Sequence, residues 1–153
     1  MKNTADERMA YERMRPGVIT AQGFLGDDDR GLADIIGHDA EEFRRLGLVF
    51  ERVAAELARL REEGQKGLGE PVTVDGTWLV RAQDARGVLP CPWGDGVFHK
   101  NGIEVERIAG PGAGARLVYS DLSVHMLLAH RFCQGRGHEF RLEPATIKAV
   151  LGM

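Results

Sequence analysis

The chain has 153 residues, of which 43% are apolar and 28% charged, with a formal net charge of −3. That is the size and balance of one hydrophobic core with at most a small appendage, and the slightly acidic sum excludes general affinity for nucleic acid or an anionic membrane. The opening "MKNTADERMAYERMRPG" has no apolar h-region, and no apolar run approaches the roughly 18 residues of a membrane span. The expected compartment is therefore the cytosol, where Cys91 and Cys133, the two cysteines, are free thiols or metal ligands rather than a disulfide.

In chain order, "TADERMAYERM" predicts a short helix stopped by Pro16-Gly17, and "VITAQGFLG" an apolar connector. "DDDRGLADIIGHDAEEFRRLG" begins on acids that suit a helix N-terminus. Leu32, Ile35, Ile36, Phe43 and Leu46 then recur at helical spacing, with Gly47 as the stop. Gly37 weakens the middle and leaves a split into two short helices open. "LVFERVAAELARLREEG" is the clearest helix, with an apolar stripe at Phe50, Val53, Ala54, Leu57 and Leu60 and an end at Gly64.

After Pro71 the period changes from 3.6 to 2. "VTVDGTWLVR" predicts a hairpin turning at Asp75-Gly76, and "VFHKNGIEVERI" a second one turning at Asn101-Gly102. "GPGAGA" links this to "RLVY", a further strand. "SDLSVHMLLAHRF" predicts a helix capped by Ser120, "HEFRL" a last short strand, and "EPATIKAVLGM" a helix with Pro144 in its first turn and Gly152 at its end. The expected fold is α+β: an N-terminal helix and arm (1–30), a helical hairpin (31–66), and an antiparallel meander of four to six strands covered by two helices (67–153), together one body.

The chemistry concentrates in two stretches. In "LPCPWGDGVF", Cys91 sits between prolines, beside Trp93 and ahead of a glycine-flanked Asp95. In "SDLSVHMLLAHRFC", His125 and His130 lie five residues apart, about 140° around an ideal helix, so they aim at one ion only if the helix loosens at its end. The candidate ligands of one structural zinc are Cys91, His125 and His130, with Asp95, His99 or Cys133 as the fourth. A cysteine knuckle, a hairpin and a His-bearing helix partly resemble a two-Cys two-His zinc finger. The likeness fails where a second cysteine belongs, since Trp93, Gly94 and Asp95 stand there. The bland reading of the same residues is a buried apolar cysteine and histidines bonded to backbone.

A catalytic reading pairs Cys133, or Cys91, with His125, His130 or His138 as thiolate and imidazolium. Arg131 and Arg136 are weak candidates for an anionic ligand. "DDD" at 27–29 lacks the spacing of a calcium loop, and "GPGAGA" lacks the Lys-Ser/Thr ending of a phosphate loop. The two helices broken at Leu46-Gly47 read as an interaction hairpin rather than a DNA reader.

The run "YSDLSVHMLLAHRF…GRGHEFRLEP", with "LPCPW" and "GLGEPVTVDG" upstream, resembles a group of small bacterial cytosolic proteins of unknown function. The resemblance implies one compact cytosolic domain and brings no activity or ligand. The expectation is a cytosolic protein that binds rather than catalyses, with zinc as its candidate cofactor. The alternatives are a small enzyme with a Cys/His site between sheet and helix, and an interaction module built on the N-terminal helices. The partner expected is a small molecule or a protein, a second copy of the chain included.

Overall fold

In the computed structural model residues 4–153 are described; the first three residues of the expected N-terminal unit lie outside them. The elements run α1 (Ala5–Arg13), α2 (Leu32–Leu46), α3 (Phe50–Gln65), β1 (Val72–Val74), β2 (Trp78–Pro90), β3 (Val97–Arg107), β4 (Arg116–Tyr119), α4 (Asp121–His130) and α5 (Pro144–Leu151). The strands form one antiparallel sheet in the order β1-β2-β3-β4, an α+β fold with helices packed on the sheet. No helix among the described residues is long and apolar enough to cross a membrane.

The register explains the core. Val80, Val105 and Leu117 stand in one cross-strand row, and Ala82, Ile103 and Tyr119 in another. All six are buried, because residues two apart share a face. The stripe Val53, Ala54, Leu57 and Leu60 of α3 covers that face, with Ile147, Val150 and Leu151 of α5. Gly64 allows the close approach: a Cβ there would lie 2.5 Å from Val80 Cγ1. Two buried polar groups tie the layers. The Tyr119 hydroxyl donates to the Leu57 carbonyl at 2.7 Å, and the Trp78 indole N–H to Val150 at 2.7 Å.

A second apolar cluster joins Ala10 of α1 and its C-cap Met14, Leu32 and Ile35 of α2, Cys91, and Leu122 and Met126 of α4. Arg141 forks onto Asp39 of α2 with two bonds of 2.9 Å. Both residues are almost fully buried.

Four details differ from the sequence expectation. Asn101-Gly102 is not a turn: β3 runs straight through it, with Asn101 opposite Asp84 and Gly102 opposite Gln83. The long β2 supplies partners along β3 on both sides of Lys100, where the register shifts between Asp84 and Val88, so the chain reverses instead at 91–96. "HEFRL" forms turns rather than a strand, braced by a His138 ring that bonds Gly23 and Phe140. Helix α2 is continuous through Gly37, because its apolar face is held by tertiary packing, which outweighs about 1 kcal/mol of glycine propensity. Finally, Asp27, Asp28 and Asp29 do not cap α2, whose N-cap is Gly31 with no side-chain bond. Asp28 instead clamps Arg30 and accepts the Arg136 N–H.

Candidate metal centre

The β2–β3 reversal is a rigid knuckle. Pro90 and Pro92 fix φ on either side of Cys91. The Cys91 N–H donates to the Gly96 carbonyl, and the Gly94 N–H to the Cys91 carbonyl, both at 2.8 Å. Gly94 sits at φ 77°, where a Cβ would be strained. The backbone N–H groups of Trp93 and Asp95 act to lower the Cys91 thiol, which favours thiolate. From outside, Arg13 of α1 donates to the Pro92 carbonyl at 2.9 Å.

Helix α4 brings the imidazoles. Ser120 caps it in a reciprocal box with Ser123. It ends at His130, where Arg131 turns into the left-handed region at φ 57°. His130 thus stands on the last turn, and its ring reaches back toward the side on which His125 lies. The two ring centroids are 5.5 Å apart.

Both rings meet Asp95. His125 Nε2 is 2.9 Å from Oδ1 and His130 Nε2 is 2.8 Å from Oδ2. One ligand atom from each of Cys91, Asp95, His125 and His130 lies within 4.8 Å of all the others. Around a tetrahedral zinc with bonds near 2.0–2.3 Å, donor atoms stand roughly 3.3–3.8 Å apart. The cluster is therefore of the right size, and an ion would spread the N···O contacts by only a few tenths of an ångström.

The electrostatics suit a cation. Burial works to raise the Asp95 carboxyl, but hydrogen bonds from Cys91 and His125 and the charge of the histidines hold it well below the usual carboxylate range. Burial lowers the His130 imidazole against the opposing pull of Asp95, which favours the neutral ring that ligates. Burial, then the Asp95 carboxylate, push the Cys91 thiol up to about 12. A divalent ion among them would reverse that and release the proton.

No known protein family, curated protein or solved structure matches the chain.

The remaining sequence candidates lie elsewhere. His99 sits on β3 opposite Val88 and lines a cavity away from the cluster. Cys133 is fully buried in the main core, and burial raises its thiol well above the ordinary value. His138 is held by Gly23 and Phe140, so no thiol–imidazole pair is present among the described residues at Cys133. Arg131 bonds Glu51 and lies over the Phe50 ring, and the Arg136 N–H serves Asp28. Two contributors escaped the sequence reading. Trp93 stacks on His130 with centroids 4.1 Å apart and planes 5° from parallel, and Phe98 packs on His125 at 4.5 Å. Their aromatic character beside the knuckle was the available signal.

Proposed function

We propose that this chain binds one zinc ion through Cys91, Asp95, His125 and His130, and that the ion clasps the β2–β3 knuckle to α4. The observation that carries the reading is the convergence of four donor atoms from two separate elements within 4.8 Å. A set of one thiolate, two imidazoles and one carboxylate matches borderline-soft zinc; a thiolate disfavours magnesium and calcium. Four protein ligands make a closed, structural site, and the flanking rings hold both imidazoles as outer partners do. Such a protein acts by binding, in the reducing cytosol where the Cys91 thiol is preserved.

The test is elemental analysis of the purified chain with Cys91→Ser and His130→Ala beside it. About one zinc per chain, lost in both variants while Cys133→Ser retains it, supports the reading. Metal-free protein that takes up no added zinc rejects it.

A further inference from the structure

A cavity of about 580 Å³ lies between the 20–24 segment, the middle of β2–β3 and the loop after α4. None of the four metal-centre residues lines it. Its volume is that of a small-molecule site. Phe24, Leu89, Leu122 and Phe140 give it apolar walls, and Ser120 and Gln134 stand among them. Both polar residues are more than nine-tenths buried.

Their hydrogen bonds can be followed to the end. Ser123 Oγ accepts from the Ser120 N–H at 3.1 Å and from Gln134 Nε2 at 3.2 Å. With both lone pairs engaged, its own proton goes to Ser120 Oγ, 3.0 Å away. Ser120 Oγ also accepts the Ser123 N–H at 3.1 Å, so it too is filled as an acceptor. Three groups are left over: the Ser120 O–H and the second N–H of Gln134 Nε2, both donors, and Gln134 Oε1, which is buried without any partner. An orphaned buried acceptor costs about 1–3 kcal/mol. Gln134 is also held at φ 69°, a left-handed conformation that costs a further ~1 kcal/mol or more and clusters at ligand sites.

We infer that this cavity is a binding site for a small molecule carrying a carboxamide or lactam on an apolar, ring-containing body. An amide offers one N–H donor beside one carbonyl acceptor. The ligand N–H meets the Gln134 oxygen, the two lone pairs of its carbonyl take the two spare donors, the Ser120 hydroxyl and the second Gln134 N–H, and the phenylalanine and leucine walls take the ring. The site is independent of the zinc reading and stands or falls separately.

The probes are benzamide and acetophenone, which share ring and carbonyl and differ in NH₂ against CH₃. Each is titrated into the full-length, ¹⁵N-labelled chain, and backbone amide shifts are followed. Benzamide is expected to shift the Gly102 and Phe140 amides saturably and to bind about tenfold tighter than acetophenone, the worth of one hydrogen bond. Gln134→Met is expected to bring the two probes within about twofold of each other. Should that variant not fold, Phe140→Ala serves: both probes weaken while benzamide keeps its lead. Equal affinity of the probes in the native chain, shifts confined to another surface, or no saturation up to the solubility limit overturns the assignment.

Discussion

Trp93 lies flat on His130, with ring centroids 4.1 Å apart and planes within 5° of parallel. The indole fixes the orientation of the imidazole that brings the far end of α4 onto Asp95. Removing it leaves all four ligands in place but frees one ring. On the proposed zinc site, Trp93→Ala should therefore keep the stoichiometry and weaken the hold about 10- to 100-fold, the usual effect of an outer partner. Competition with a chromogenic chelator measures this. An unchanged affinity would reduce the stack to packing.

With zinc at the proposed site, removing it should loosen the knuckle rather than the whole body. After chelation, hydrogen exchange is expected to accelerate in residues 88–98 and 125–131. The β1–β2 pairing of Val72–Val74 with Trp78–Val80 should keep its protection, because α3 and α5 cover it. Uniform acceleration across the chain would show that the ion holds the entire fold.

The Asp39–Arg141 fork is the costliest ion pair to break. Its members are nearly fully buried and joined by two 2.9 Å bonds, and Arg141 also reaches the Gln134 carbonyl at 2.6 Å. Asp39→Ala removes the fully buried partner and leaves the guanidinium only the half-exposed Glu143 carboxylate at 2.8 Å and the Gln134 carbonyl, at about 3 kcal/mol. Urea unfolding should show it as a large fall in midpoint. Arg44→Ala, which removes an exposed pair with Glu41, should leave the midpoint where it is.

Gly64→Ala tests the contact between α3 and the sheet. Alanine gains about 1 kcal/mol of helix propensity. The new methyl, however, lands 2.5 Å from Val80 Cγ1 on a fully buried side chain, and overpacking costs roughly 1–3 kcal/mol. The net expectation is a lower melting temperature. A rise would mean that α3 slides outward at little cost.

Acid sensitivity should come partly from Asp28. The Arg30 side chain first, then the N–H groups of Arg136 and Arg30, hold its carboxyl well below the ordinary value against the opposing effect of burial. A depressed folded pKa contributes stability that is complete above the unfolded value of about 3.9 and is lost as pH falls through the folded one. Asp28→Asn should thus be about 1–3 kcal/mol less stable than the native chain at pH 7. The gap should close progressively below about pH 4. A gap that persists in strong acid would assign the loss to packing instead.

Most of the fold was legible because local signals agreed. The Phe50–Leu60 stripe, the Asp75-Gly76 turn, the Ser120 cap and Gly152 each marked an element that the structure contains. Asn101-Gly102 misled, since a good turn pair yields when a long neighbouring strand offers both of its residues partners. Cys91, His125 and His130 were legible as candidate ligands by residue type alone, and the structure brings them together. Asp95 was one of three choices for the fourth, because its nearness depends on where the knuckle points, and that is set by contacts distant in sequence. The five-residue histidine spacing looked unfavourable on an ideal helix. It works because α4 ends at His130. The Ser120–Gln134 pair could not be seen at all: nothing in a sequence tells which buried proton lacks an acceptor.

The bond from Arg13 to Pro92 spans 79 positions and fastens α1 to the backbone of the turn that presents the thiol. Linkage makes such a tie run both ways. With zinc bound as proposed, whatever pulls on the first helix would change how long the ion stays, and loading the ion would in turn anchor the front of the chain. A fusion or trimming that disturbs residues 5–13 would then alter metal residence time with every ligand intact.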